Sequence, residues 1–191
     1  AVATPGNDTT PSFVFSSDET GTITTNIGEG FSTSASASVG SNTITFNALG
    51  EGIYSGKTVT VTDSSGNAAS IIIADFVIDT TSPTITIASS TVSDGDSSND
   101  SSIALTFTSS EATTNFVVGD VTVSGGSLSN FSATSSAVYT ATFTPSSDGA
   151  TSIDVGAGAF TDAAGNNNSA ASQFNWTYDS TAPTITITSA T

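Results

Sequence analysis

The sequence contains no cysteine, no histidine and only one basic residue, Lys57. Without cysteine there are neither disulfides nor thiolate metal sites. Without histidine the usual general base is missing, and with it the Ser/His/Asp and Cys/His nucleophiles and most transition-metal sites. One lysine cannot grip phosphate, so nucleic acid and anionic lipid are poor partners. No apolar run approaches the roughly 20 residues that cross a bilayer as a helix, and no stretch holds helical periodicity. Aromatic residues make up only 8% of the chain, which argues against a clustered sugar-stacking platform. A carboxylate pair could still hydrolyse a glycoside, but the acids here stand in turn motifs. The chain reads as non-enzymatic.

What is abundant is serine, threonine and negative charge. Thr alternates with Val, Ile or Phe wherever the sequence is apolar, a period-2 pattern with β-branched enrichment that suits half-buried strands. Hydrophobic residues are 36% of the 191, enough for two small cores. Seventeen acids against one base give a formal charge of −16, which repels itself in any compact state unless counter-ions bind. That acidity serves solubility or salt adaptation on one reading, and divalent-cation binding on another; small secreted domains without disulfides often take a metal as their staple. The chain opens Ala-Val-Ala-Thr-Pro with no secretory leader in view, so any such segment is expected to lie upstream or to have been removed.

Two motifs recur in the same order. Asp63-Ser-Ser-Gly-Asn67 precedes an apolar stretch and then Asp79-Thr-Thr-Ser-Pro83-Thr-Ile-Thr-Ile87. Asp162-Ala-Ala-Gly-Asn166 likewise precedes 174–178 and then Asp179-Ser-Thr-Ala-Pro183-Thr-Ile-Thr-Ile187. A partial copy, Asp8-Thr-Thr-Pro11, stands at the start, and Phe13-Val-Phe-Ser-Ser-Asp-Glu19 lines up with Leu105-Thr-Phe-Thr-Ser-Ser-Glu111. Three anchors in one order mark a repeat. They predict an all-β chain of two tandem sandwich domains, 8–78 and 79–178, joined by a short linker. Residues 179–191 form a linker and the first strand of a following unit. Proline in each linker fixes φ and extends its neighbour, so the joint is stiff. Strands are predicted at 12–15, 22–24, 43–46, 58–62 and 70–78 in the first domain. In the second they fall at 84–88, 103–108, 120–124, 138–144, 152–155 and 174–178. Trp176, Phe174, Phe107, Tyr139 and Phe143 are expected in the core.

These residues also carry a family likeness. Ser-Glu111, Phe116-Val-Val-Gly-Asp120-Val-Thr-Val, Tyr139-Thr-Ala-Thr-Phe-Thr-Pro145, Asp162-x-x-Gly-Asn166 and Asp179-x-Thr-x-Pro183 resemble the bacterial immunoglobulin-like repeats of very large surface adhesins. The first domain is similar to a shorter relative through Gly52-Ile-Tyr54, Val59-Thr-Val-Thr-Asp63-x-x-Gly-Asn67 and Asp79-x-Thr-x-Pro83. The resemblance implies immunoglobulin-like sandwiches, tandem arrays, an extracellular cell-surface location and calcium at joints between domains. The first domain departs from the longer pattern in having no clear strand before Phe13-Val-Phe15, so its edge is expected to be open or covered by a neighbour.

Strand parity places the acids without appeal to the family. If the linker 79–83 enters the second domain at one pole, successive strands return Glu111 and Asp162 to that pole beside Asp79. The same reasoning gathers Asp8, Glu19 and Asp63 at the matching pole of the first domain, and Asp94, Asp96, Asp100 and Asp179 at the far pole of the second. Three carboxylates at one pole repel one another unless a cation sits among them. Calcium takes 6–8 oxygen ligands in flexible geometry, magnesium is stricter, and zinc prefers His or Cys, so Ca2+ is the expected ion at all three places. The loop 94–100 is not an EF-hand, since its sixth position is Asn99 and its twelfth Leu105. For a single Asp-x-x-Gly-Asn the simple alternative is a tight turn whose Asp bonds its own backbone.

The leading expectation is a spacer of an extracellular bacterial adhesin, with neighbouring repeats of the same protein as partners. The alternative is a self-assembling subunit of a filament, sheath or surface layer that donates the 184–187 segment to an uncovered edge. A carbohydrate-binding module comes third.

Overall fold

Alternation of Thr with Val, Ile and Phe folds as the period-2 pattern requires. The computed structural model describes residues 2–189, which form two compact units. One is built mainly on residues 2–81, with 163–166 counted in it, and the other mainly on 82–189. Among the described residues the only helical element is one 3-10 turn, Val118–Asp120, and no helix is long and apolar enough to cross a membrane.

The first unit holds β1 (Ser12–Ser17), β2 (Gly21–Thr25), β3 (Ser36–Ala37), β4 (Gly40–Thr45), β5 (Gly52–Tyr54), β6 (Thr58–Thr62), β7 (Ala68–Ile72) and β8 (Phe76–Ile78). β1 pairs antiparallel with β4, while β3-β2-β6-β7 form the facing sheet and β5 pairs with β8. Tyr54 lies opposite Phe76 and Thr58 opposite Ile72, so β5/β8 and β6/β7 are two stretches of one long hairpin in a single register. The core between the layers is Ile23, Ile44, Phe46, Val59, Phe76 and Ile78, each at most 3% exposed.

The strand expected over 70–78 is broken there. Ile73 and Phe76 are both buried, yet an odd spacing cannot put two side chains on one face of a regular strand. The regular pairing therefore breaks off on both strands and resumes in the same register, with Ile73 N–H bonded to the Lys57 carbonyl at 2.7 Å and Gly56 N–H to Asp75 Oδ1 at 3.2 Å.

In the second unit the strands are β9 (Ile85–Ser89), β10 (Ser97–Ser98), β11 (Ile103–Ser109), β12 (Val121–Ser124), β13 (Gly126–Ala133), β14 (Val138–Pro145), β15 (Gly149–Val155) and β16 (Phe174–Tyr178). They make two four-stranded sheets, β13-β14-β11-β9 and β10-β16-β15-β12, a β-sandwich. β11 alternates buried and outward residues along its whole length. The five expected core aromatics are all at most 4% exposed. Two of them also carry polar atoms, and both are satisfied: Trp176 Nε1 donates to Ser98 Oγ at 3.2 Å, and the Tyr139 hydroxyl to the Thr113 carbonyl at 3.0 Å. Burial pushes the Tyr139 phenol above its ordinary pKa.

β13 escapes the sequence reading because it is mostly Gly, Ser and Asn. Its two core contacts, Leu128 and Phe131, are also oddly spaced. A register shift between Ser129 and Ser132, with Asn130 at φ 53°, lets both face inward.

Candidate functional site

The two Asp-x-x-Gly-Asn segments are tight turns, and each glycine supplies the left-handed backbone the turn needs, φ 89° at Gly66 and 93° at Gly165. In the first, Asp63 Oδ1 accepts the N–H groups of Ser65 and Asn67, both at 2.8 Å, and Oδ2 accepts Asn67 Nδ2 at 2.8 Å. The Asn67 amide first, then these backbone donors, holds the Asp63 carboxyl below the usual carboxylate range. In the second turn Asp162 is only 8% exposed, and Asn166 Nδ2 donates to the carbonyl of Asp79 at 2.9 Å. Nearby, buried Asn168 pins the loop by accepting from Phe160 N–H and donating to the Gly156 and Ser169 carbonyls.

Of the three acids expected together, Asp79 and Glu111 are half-buried and Asp162 is buried. Asp79 is set by an N–H bond to the Gly6 carbonyl and by its Oδ1 accepting Thr81 N–H at 3.1 Å. Glu111 lies two residues past β11, next to Ser110, which is paired with Thr84 through Thr84 N–H to Ser110 Oγ and Ser110 N–H to the Thr84 carbonyl, both 2.9 Å. The donor set is all oxygen. Two ligands of one calcium at about 2.4 Å can stand no more than about 4.8 Å apart, and three carboxylates without nitrogen or sulfur suit that ion better than zinc.

The other two expected gatherings are not formed. Among the described residues, neither Asp8, Glu19 and Asp63 nor Asp94, Asp96, Asp100 and Asp179 brings three carboxylates so close. Glu19 and Asp63 border one shallow pocket, but Asp8 does not. Hydrogen bonds hold these acids elsewhere. Asp8 Oδ1 accepts Thr10 N–H at 2.9 Å. Asp96 accepts Ser93 N–H, Asp100 accepts the Ser98 hydroxyl, and Asp179 accepts Thr181 N–H, each closing a turn. Asp94 instead accepts Asn175 N–H of β16.

A model of the bacterial Ig-like domain matches residues 79–178, just over half of the chain. The chain belongs to this bacterial Ig-like family. No curated protein matches it. Among solved structures it is similar to InvD of Yersinia pseudotuberculosis, at 15% identity and TM-score 0.37 over 97% of this chain and 59% of that one. It is also similar to SGBP-B of the Bacteroides ovatus mixed-linkage glucan utilization locus, solved with a mixed-linkage heptasaccharide, at 14% identity and TM-score 0.28 over 93% and 44%. The chain thus spans well under two thirds of both.

The Ig-like domain carries a further device that sequence reasoning missed. Asp148 accepts Ser180 N–H at 2.9 Å, and the hydroxyls of Ser180 and Thr181 at 2.6 Å each. Glu51 does the same in the first unit, accepting the hydroxyls of Thr80 at 3.2 Å and Thr81 at 2.9 Å. An acid thus latches the Asp-x-Thr segment that leaves each last strand. The available signal was the repeated acid-Gly pair, Glu51-Gly52 and Asp148-Gly149, each opening a strand that pairs with the last one.

The Ser180 hydroxyl first, then that of Thr181, holds the Asp148 carboxyl below its ordinary 3.8. A depressed carboxylate contributes stability that is present above the unfolded value and is lost as pH falls through the folded one. Asp148→Ala is therefore expected to lower the urea midpoint near neutral pH. The difference from the parent should vanish well below pH 3.8, as Trp176 fluorescence will show.

Proposed function

We propose that the chain is a non-enzymatic spacer segment of an extracellular bacterial surface adhesin, stiffened by calcium held at Asp79, Glu111 and Asp162, with neighbouring repeats as its partners. The observation that carries the calcium reading is the burial of Asp162 and half-burial of Asp79 and Glu111 in a chain with a single basic residue. Acids taken out of water without a basic partner are disfavoured until a cation joins them. Asn166, already bonded to the Asp79 carbonyl, orders the Asp162 loop. A structural role agrees with membership of the Ig-like family, with acids used to close turns, and with a surface that offers no ring platform. Every aromatic side chain is buried or half-buried, which speaks against the carbohydrate-binding alternative.

Calcium is expected to raise the thermal midpoint of the domain. A ligand roughly a hundredfold above its Kd stabilises by about 2.7 kcal/mol, on the order of 10 °C for a domain this small. Unfolding followed at Trp176 with calcium and with excess chelator tests this; identical midpoints would sink the calcium reading.

A further inference from the structure

Charge in this chain is sorted by secondary structure. Of its seventeen acids only Asp154 stands in a strand, and Lys57 also lies outside the strands. The loops of a sandwich collect at its two ends, so the self-repulsion of a chain of net charge −16 is concentrated there. The outward rows of the sheets carry hydroxyls instead. The fullest case is the sheet β13-β14-β11-β9 of the Ig-like domain. Its inner side packs Leu105, Phe107, Tyr139 and Phe143, all at most 4% exposed. On its outer side the register sets Ser132 and Thr106 on either side of Thr140, and Thr108 beside Thr86. No residue of these four strands is charged.

The opposite sheet of the same domain differs in one respect. Asp154 stands on the outward row of β15, across from Thr122 of β12, so two copies meeting there would bring like charges together. Sheets of the first unit also have neutral outward rows, but none of their strands exceeds six residues. Those of the neutral sheet reach seven in β11 and eight in β13 and β14. Its edge strand β13 is bulged between Ser129 and Ser132, which blunts strand-to-strand addition at that edge. The face is what remains available.

We propose that the outer face of β13-β14-β11-β9 is a side-by-side docking surface for the same face of a second copy. End-on approach meets the acids of both molecules, whereas this approach keeps them at the ends and in water. Threonine methyls make the dry part of the contact, and hydroxyls bond across it. Four strands about 4.8 Å apart, at about 3.3 Å per residue, present roughly 400 Å² of face. That is about half of what each partner buries in a standard interface, so a single domain docks weakly and a tandem array of such domains gains by avidity. The contact is isologous, which brings a residue near the twofold axis against its own copy. It involves no calcium ligand and stands or falls separately from the metal.

Light scattering in excess chelator, which removes any bridging by divalent ions, tests this. The parent is expected to associate weakly and in proportion to concentration. Association should grow between about 10 mM and about 150 mM salt, as the Debye length shrinks from about 30 Å to about 8 Å and screens the acids at the ends. Thr108→Asp with Ser129→Asp puts like charges on the face and should weaken association roughly tenfold or more. Ser124→Asp with Ala150→Asp adds the same charge to the opposite sheet and should weaken it far less. All four positions are exposed, so Trp176 fluorescence is expected to match the parent in both variants. The chain has no cysteine, which allows a second test on otherwise unaltered faces. Thr106→Cys, at the middle of the face, should be joined to its own copy by a short bismaleimide, and Thr122→Cys on the opposite sheet should not. A parent that stays monomeric, association that weakens with salt, or aspartates equally harmful on either sheet overturns the proposal. Equal cross-linking of the two cysteines overturns it as well, since the copies would then be meeting at random.

Discussion

Replacing Phe143 by alanine is expected to cost the Ig-like domain about 3–5 kcal/mol, a large part of the 5–15 kcal/mol that typically holds a domain folded. Phe143 is 0% exposed, sits on β14 between β11 and β13, and meets Trp176 edge to face with ring centroids 6.1 Å apart. Removing the ring loses its transfer free energy and leaves a cavity that two hydrogen-bonded sheets cannot close. The one tryptophan of the chain is in this domain, so its fluorescence reports this unfolding alone. The first unit has a separate buried cluster, including Ile44, Phe46 and Phe76. A separate transition of the first unit, followed by circular dichroism, should therefore be unchanged in the variant.

Gly126→Ala is expected to be the next most damaging change, at about 1–3 kcal/mol. A Cβ on Gly126 would lie inside van der Waals contact of the Phe143 ring and of the Thr144 carbonyl oxygen. The ring is locked in the core and the carbonyl is part of a sheet, so neither yields cheaply. The two substitutions share a partner and should not be additive. In the Phe143→Ala background the added methyl meets only the backbone, so the double variant is expected to be more stable than the sum of the single effects by roughly 1 kcal/mol. Urea unfolding of the four proteins in the cycle measures this.

Strands that alternate strictly were legible in the sequence, and β11, β14 and β16 fall where the pattern puts them. Failures came where core residues are oddly spaced. Ile73 and Phe76 turned one expected strand into two, and Leu128 and Phe131, on either side of a bulge, concealed β13 altogether. Neither irregularity leaves a local signature, because what forces it is the position of a core assembled from distant residues.

The acids follow the same division. Parity alone places Asp79, Glu111 and Asp162 at one end of the domain, and of the three Asp162 is the buried one. For Asp8, Asp63 and Asp179 parity was not enough, since a short side chain beside free backbone N–H groups closes its own turn first. The Glu51 and Asp148 latches went unseen because their partners are hydroxyls, which are too common in this chain to stand out.

Direct calcium titration by calorimetry tests the central claim. The parent is expected to show a saturable calcium heat that Asp162→Asn abolishes. Asp154→Asn, which removes an acid outside the carboxylate group, should leave that heat intact. No calcium heat in the parent, or the same heat in Asp162→Asn, would mean that these carboxylates do not bind calcium.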